Sequence, residues 1–212
     1  NMAMINAVSK LTWRAFERHY SLTTYEQLIS KLDSTIPVYP DWIKGIACAL
    51  GSAGLAFLYS GDMIAFIVTV ICSLIGYFGR TLSVRFGCNE YVGIAIGGFA
   101  AMVSAYGFYS HIEQASLVYV LVCCTLFMIP GVPLINAVID TINNHILSGI
   151  TRAIRTILIV GSMTLGMAMA LYFSPMPAFS FVDIKPHVLS VEQIIGSFMA
   201  AASFAVLFNA PV

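Results

Sequence analysis

Charged side chains are scarce in this sequence: Asp, Glu, Lys and Arg make up 9% of its 212 residues, whereas soluble domains carry about 25%. Ten basic and ten acidic residues leave no net charge. Hydrophobic residues make up 59% of the chain, and the mean hydropathy is +0.88. This composition excludes an ordinary soluble domain and predicts an integral membrane protein.

Motifs that carry enzyme chemistry are missing as well. The sequence contains no phosphate-binding loop, no HExxH zinc helix, no nucleophile elbow and no EF-hand. The lack of a phosphate-binding loop argues against an ATP-driven mechanism inside this chain. We therefore expect no enzyme activity, no cofactor and no nucleic-acid partner.

Cysteines show no metal-ligand spacing either. Four of the five lie inside apolar runs, and the neighbouring pair Cys123 and Cys124 cannot point at one metal ion from a helix. We interpret them as small packing residues and expect no metal site. The full set is Cys48, Cys72, Cys88, Cys123 and Cys124.

The two ends of the chain also lack familiar features. No secretory signal is visible, the first residue is Asn1, and the last residue, Val212, follows an apolar run directly. We therefore expect an internal fragment of a longer protein.

Residues 1–39 are more polar than the rest. Residues 1–20 have the spacing of an amphipathic helix, and Thr23 or Thr24 is placed to cap a second helix that reaches Ile36. We expect the last part of a cytosolic or interfacial helical region that packs beneath the membrane part. A membrane-surface anchor is the alternative.

Six apolar runs follow, each close to the ~20 residues that span about 30 Å of hydrocarbon. The fold class expected is all-α: a polytopic bundle with about six membrane spans. Residues 40–174 would form a five-span half, residues 175–190 an extracytoplasmic loop, and residues 191–212 the first span of a second half. The runs are residues 43–60, 63–79, 91–109, 115–130 with a second piece over 134–146, 156–173 and 191–208.

Basic residues determine the expected orientation. With a cytoplasmic N-terminus, nine of the ten basic residues precede the first span or lie between spans two and three or four and five. Only Lys185 would lie outside. The positive-inside rule thus predicts a multi-pass protein of the inner (plasma) membrane with its N-terminal segment in the cytoplasm.

The fourth run is broken by Pro130-Gly131-Val132-Pro133. Proline removes a backbone donor inside a helix, and in lipid the freed groups need partners in protein or in a water-lined cavity. Beyond the break, Asn136, Asp140 and Asn143 share one helical face, and Thr125 lies just before it. A carboxylate in a membrane helix is a candidate for a transport or proton path. The alternative is a structural ion pair of Asp140 with Arg152 or Arg155.

Two further patterns leave alternatives open. The third span is rich in small residues, such as Gly93 and Gly97, which indicate either close helix packing or a glycine-lined path. Residues 51–62 (GSAGLAFLYSGD) align with residues 200–211 (AAASFAVLFNAP) at a constant offset. Because five spans separate the two segments, they would run in opposite directions, as in the inverted repeats of secondary transporters.

Residues 129–156 (IPGVPLINAVIDTINNHILSGITRAIRT) resemble the signature of the threonine/serine exporter family of bacteria and fungi. Upstream, NMAMINAVSKL and YEQLISKL resemble the end of that family's cytosolic region. The tail SFAVLFNAP resembles the opening helix of its second membrane half. The matching signature positions are Pro130, Gly131, Asn136, Asp140, Gly149 and Arg152.

The resemblance implies a secondary transporter that exports threonine or serine, driven by protons. Related two-component members imply succinate as an alternative substrate, and a passive channel or structural membrane subunit is an alternative of another class. Expected partners are the lipid bilayer, the small-molecule substrate, protons, a second membrane half on the same or a partner chain, and a further copy in a homo-oligomer. Asp140 would then lie at a cytoplasmic gate, with Arg152 as its partner.

Overall fold

The computed structural model describes residues 2–35, 39–59, 62–108, 114–174 and 191–210. These residues form nine helices joined by turns, which confirms the all-α class. The expected loop 175–190, with Lys185, lies outside the described residues. The helices are α1 Met2–Arg18, α2 Leu22–Thr35, α3 Asp41–Leu58, α4 Met63–Arg85, α5 Glu90–Gly107, α6 Gln114–Leu126, α7 Gly131–Ile142, α8 Ile146–Phe173 and α9 Val191–Leu207.

Three helices of the described residues are long and apolar enough to cross a membrane: α3, α4 and α8. A fourth span results if α6 and α7, which meet at a 60° bend, count as one broken span. Helix α9 is apolar but has 17 residues, and α5 carries Glu90 and four glycines. The expected number of about six spans therefore stays a prediction.

Two helices extend beyond the apolar runs from which they were predicted. Helix α4 continues past residue 79 to Arg85, where Gly87 adopts φ +88° and the N–H groups of Gly87 and Cys88 bond to carbonyls of the last turn. Helix α8 begins at Ile146 instead of residue 156. Hydropathy reports only which residues lie in the lipid, so each helix extends beyond its apolar run by the polar turns at one end.

The N-terminal hairpin consists of α1 packed against α2. The hydroxyls of Thr12 and Tyr25 lie 2.9 Å apart, and the Ser21 hydroxyl accepts a hydrogen bond from the Thr24 N–H. Ser21 therefore caps α2, and the prediction of Thr23 or Thr24 was wrong by a few residues. The N–H of Ala3 donates to the carbonyl of Asn209 at 2.9 Å, so the start of α1 lies beside the end of α9.

Small side chains fill the core of the bundle. Helix α6 packs against α3, α4 and α5, α5 packs against α8, and α3 packs against α9. Four of the cysteines are buried and Cys88 is exposed, and all five are free thiols. In lipid, the burial of apolar surface contributes little to helix association, so helices associate through van der Waals packing of small residues.

Glycines mark the closest helix approaches. A Cβ at Gly97 of α5 would lie 2.8 Å from the Gly76 carbonyl of α4, and one at Gly166 of α8 would collide with the Ala95 carbonyl. By contrast, a Cβ at Gly161 would meet no atom within 4 Å. Gly97 of the third span and Gly166 of the fifth therefore serve packing, the first of the two alternatives.

Candidate functional site

The break lies between Leu126, the last residue of α6, and Gly131, the first of α7. Pro130 caps α7 with φ −80° and ψ 62°, and the Gly131 N–H donates to the Ile129 carbonyl at 2.9 Å. Pro133 falls in the first turn of α7, where its missing N–H leaves no helical bond unmade. The two prolines thus bend the chain by 60° instead of kinking one continuous helix.

Helix α7 ends in a tight reversal. Asn144 takes a positive φ of 62°, and the His145 N–H donates to the Asp140 carbonyl at 2.8 Å. This left-handed cap is one that glycine usually provides and asparagine tolerates. It turns α8 back along α7, so the last turn of α7 faces the first turns of α8.

Asp140 is bound from α8 at this reversal. Its Oδ2 accepts a hydrogen bond from the Ser148 hydroxyl at 2.7 Å and lies 3.2 Å from Nη1 of Arg152. The Asp140 side chain is 21% exposed and that of Arg152 is 47% exposed. Of the two predicted partners of Asp140, Arg152 forms the ion pair and Arg155 does not.

Gly149 explains how the two helices come close enough for this pair. A Cβ at Gly149 would collide with the Thr141 hydroxyl and lie 3.0 Å from the Ala137 carbonyl. That hydroxyl is already donated to the Ala137 carbonyl at 2.8 Å. The crossing of α7 and α8 therefore has no room for a side chain at this position.

A second ion cluster joins three helices beside the first. Glu90, at the start of α5, lies 3.4 Å from Nη2 of Arg80 on α4 and 3.2 Å from Nη2 of Arg155 on α8. These three residues lie far apart in the sequence, and no motif there groups them. Helical position in three dimensions, which no sequence spacing reports, brings them together.

A third pair completes this end of the bundle. Asp41, at the start of α3, lies 2.6 Å from Nη2 of Arg85 on α4 and 3.6 Å from Nζ of Lys44. We name these groups the basic end. It consists of the cations Lys44, Arg80, Arg85, Arg152 and Arg155 and the carboxylates Asp41, Glu90 and Asp140.

Cations outnumber carboxylates at the basic end, so its field attracts anions. Every carboxylate there is engaged by an arginine. Across the described part of the chain, no group of three or more His, Cys, Asp and Glu side chains is placed to hold a metal ion.

The other predicted site residues are spread out. Asn136 is partly buried one turn before Asp140, and Asn143 is exposed at the end of α7. Thr125 is buried on α6, where its hydroxyl donates to the Val122 carbonyl at 3.0 Å. Since α6 packs into the core and α7 packs against α8, Thr125 belongs to the core and not to the Asp140 cluster.

Three buried hydroxyls were missed. Ser52 lies on α3, and Thr69 and Ser73 lie one turn apart on α4, which packs against α3. Each hydroxyl oxygen is fully buried and has no hydrogen-bond partner, unlike that of Thr81, which donates to its own helix at 2.9 Å. In the sequence, these residues could have been recognised as hydroxyl side chains inside apolar runs. Buried polar groups are nearly always hydrogen-bonded, so these three unpaired hydroxyls stand out.

Comparison with known proteins agrees with this picture. The family model ThrE, described as "Putative threonine/serine exporter", matches residues 1–174. Two curated proteins named "Probable succinate transporter subunit YjjP", from Klebsiella aerogenes and Escherichia coli K12, are each 25% identical over 180 residues. The match covers 81% of this chain and 66% of each relative, just under two thirds of their length. No solved structure matches the chain.

The family match includes the N-terminal hairpin, both pieces of the broken helix and every residue of the basic end. It therefore covers the candidate site completely, together with the apolar helices that mark a membrane protein. The family and both relatives are named for transport, and α9 lies beyond the residues that the family model matches. This chain belongs to the ThrE family of threonine/serine exporters.

Proposed function

We propose that this protein is a secondary transporter, not an enzyme, that exports small hydrophilic metabolites across the inner membrane in exchange for protons. Threonine and serine are its first candidate substrates, because the family is described by them. The single observation that carries the mechanism is the Asp140 cluster: a carboxylate at the end of a broken membrane helix, held by Ser148 and Arg152 of the next helix.

The Asp140–Arg152 pair is weak enough to open during a transport cycle. Both side chains are partly exposed, and such pairs contribute about 0–1 kcal/mol. The Arg152 guanidinium has planar donors that suit the carboxylate of threonine or serine, and ionised Asp140 suits their ammonium group. Protonation of Asp140 removes the charge that holds the ammonium group. Proton and substrate would therefore compete for Asp140, as exchange requires.

Orientation follows from the basic end. The start of α3, the end of α4, the start of α5 and the turn between α7 and α8 all meet there. Cytoplasmic ends of membrane helices are enriched in Lys and Arg. We infer that the basic end faces the cytoplasm, where an exporter must receive its substrate, and that the N-terminal hairpin lies on the same side.

A dicarboxylate such as succinate is the second candidate substrate. Two observations favour it: the curated relatives are named as subunits of a succinate transporter, and the basic end has more cations than carboxylates. Arg152 and Arg155 lie one turn apart on α8, a spacing that places two guanidinium groups near the two ends of a short diacid. The word "subunit" also suggests a partner protein.

The test is transport by the natural protein in proteoliposomes loaded with labelled threonine, serine or succinate, with and without a pH gradient. We expect efflux of one solute that rises with the gradient. Asp140→Asn should abolish the response to the gradient, and Arg152→Gln should raise the KM for the solute. Glu17→Gln on α1, a carboxylate bonded only to Trp13 in the hairpin, is the matched control.

Each alternative gives its own result. Efflux that ignores the gradient in the unaltered protein would identify a passive channel. An Asp140→Asn variant with unchanged rate and unchanged response to pH would reduce the Asp140–Arg152 pair to a structural clasp.

A further inference from the structure

Ser52, Thr69 and Ser73 differ from most other hydroxyl side chains of the membrane helices. The others donate to a carbonyl of their own helix, as Ser104 does at 2.7 Å and Thr125 does at 3.0 Å. The three buried oxygens bond neither to their own helix nor to any other described residue. They therefore do not fasten one helix to another, which is the usual task of a hydroxyl in a membrane bundle. We name these three side chains the hydroxyl cluster.

The members of the hydroxyl cluster lie at one level of the bundle, although they come from two helices. Phe57 of α3 stacks on Phe66 of α4, with ring centroids 4.5 Å apart. Nearer the other end of the two helices, a Cβ at Gly45 would lie 3.1 Å from the Tyr77 ring. These antiparallel contacts place the α3 member at the level of Ile71, midway between the two α4 members. At about 1.5 Å per residue, it lies only about 3 Å from either of them along the axis.

Helix α6 meets α3 and α4 at the hydroxyl cluster. Cys48, one turn before the α3 member and on the same face, belongs to one core cluster with Phe127. Ala65, one turn before Thr69 on α4, belongs to another core cluster with Val120 of α6. Helix α6 packs against both α3 and α4. The three hydroxyls therefore lie at the junction of three helices, inside the enclosed part of the bundle.

Charged side chains are absent at this level of the three helices. Helix α3 carries none after Lys44, α4 carries none before Arg80, and α6 carries none at all. A buried charge without a partner is costly, so the hydroxyl cluster suits a neutral polar group. A hydroxyl both donates and accepts hydrogen bonds, so three of them can bond a further hydroxyl that enters between them.

The helix break lies about one turn from the hydroxyl cluster. Tyr77 follows Ser73 by one turn on α4, and its ring centroid lies 6.3 Å from that of Phe127, the first residue after α6. The start of a half-helix such as α7 attracts anionic groups of a solute. A small hydroxy amino acid can thus place its side-chain hydroxyl in the cluster and its carboxylate at the break.

We propose that the hydroxyl cluster binds the side-chain hydroxyl of the exported solute and selects threonine and serine over amino acids and diacids that lack one. This inference rests on the proposed transport function and deepens it. Ser73 lies about 18 Å along α4 from Arg85 of the basic end, so the solute reaches the cluster after it has passed Asp140 and Arg152. A site that bonds a substrate hydroxyl rejects the analogue without it, because the buried groups of the site then stay unpaired.

The test compares efflux of serine with that of alanine, and of threonine with that of valine, from proteoliposomes that contain the natural protein. The unaltered protein should prefer the hydroxyl solute of each pair by about tenfold or more in kcat/KM. Ser52→Ala and Thr69→Val should each lower that preference several-fold. Their melting temperatures should not fall, because the hydroxyls they remove have no partner to lose.

Thr81→Val is the matched control. Thr81 lies on the same helix as Thr69, but its hydroxyl donates to the Tyr77 carbonyl at 2.9 Å. The control should leave the ratio of serine to alanine efflux unchanged. An equal fall of the ratio in Thr81→Val and Thr69→Val would overturn the inference, since any lost hydroxyl would then have the same effect.

Other results separate the inference from the proposed transport function. Equal kcat/KM for serine and alanine in the unaltered protein would overturn the inference, even where serine efflux responds to the pH gradient. An unchanged ratio in Ser52→Ala and Thr69→Val would overturn it as well and leave buried water as the occupant of the cluster. Efflux of succinate alone would overturn it together with threonine and serine as first candidates. A failure of Asp140→Asn to affect the gradient response would leave the cluster untouched.

Discussion

The two pieces of the broken helix, α6 and α7, are similarly apolar and yet differ in burial. Most residues of α6 described from Leu117 onward are inaccessible, and Val120, Cys123 and Cys124 have no exposed surface. Helix α7 buries only Ala137, while Leu134 is 50% exposed and Ile142 is 74% exposed. One piece lies inside the bundle and the other lies on its edge.

The difference in burial indicates which piece would move in the proposed gate. Helix α6 is enclosed by α3, α4 and α5, whereas α7 packs mainly against α8 and is attached through the bend, the Gly149 crossing and the Asp140 pair. Segments with few buried contacts open at lower free energy than enclosed ones. In the proposed gate, α6 is therefore the fixed piece and α7 the moving one.

The largest effect should come from Gly149→Leu, which places a side chain where α7 and α8 touch. Overpacking of this kind costs about 1–3 kcal/mol, and here it also separates Asp140 from Arg152. We expect a lower melting temperature in detergent and loss of transport. The matched control is Gly161→Leu on the same helix, where a Cβ meets no atom within 4 Å. Equal melting temperatures for the two variants would contradict the tight crossing.

Next in size is a pair of leucine truncations, one on each piece. Leu121 is 2% exposed on α6, and Leu121→Ala leaves a cavity that costs on the order of 2 kcal/mol. Leu134→Ala on α7, at 50% exposure, should change the free energy of unfolding by less than about 0.5 kcal/mol. Denaturant titration of both variants measures the difference. Equal losses would mean that α7 is packed as tightly as α6.

A smaller effect on stability is expected from the Asp140–Arg152 pair. In a double-mutant cycle with Asp140→Asn and Arg152→Gln, the coupling free energy should be at most about 1 kcal/mol, because both side chains are partly exposed. Asp140→Asn should nevertheless abolish the response of efflux to the gradient, and Arg152→Gln should raise the KM for the solute. A large coupling with normal efflux would show that the pair fastens α7 to α8 and does not gate.

The smallest stability change is expected at the unpaired hydroxyls of α3 and α4. Ser52→Ala and Thr69→Val remove groups with no partner, so stability should be unchanged or rise by up to about 1 kcal/mol. Thr156→Val, which removes a hydrogen bond to the Arg152 carbonyl, is the control and should lower stability slightly. A slower efflux in Ser52→Ala without loss of stability would place that hydroxyl on the transport path.

Several features of the site could be predicted from local chemistry. Pro130 and Pro133 place the break because proline cannot continue a helix in lipid, and the bend lies there. A pair of Asp140 with Arg152 or Arg155 follows from the cost of an isolated carboxylate near a cation-bearing segment, and the structure shows Arg152 as the partner. The helix ends at Arg85 and Ile146 differ from the edges of the apolar runs. The turn at Gly87 ends α4, and the reversal at Asn144 directly precedes the N-cap His145 of α8, and hydropathy reports neither.

The sequence alone determined that this is an all-helical membrane protein with a break in one helix. The reason is that apolar content and proline affect the backbone within a short local segment, without distant contacts. Only the tertiary structure decided which helix faces which: that Glu90 joins Arg80 and Arg155, that Thr125 belongs to the core, and that α6 is enclosed while α7 is not. The physical reason is that almost every span is apolar on all sides. The hydropathy pattern therefore does not show which side of a helix faces the protein interior. The packing of small residues between helices decides that side.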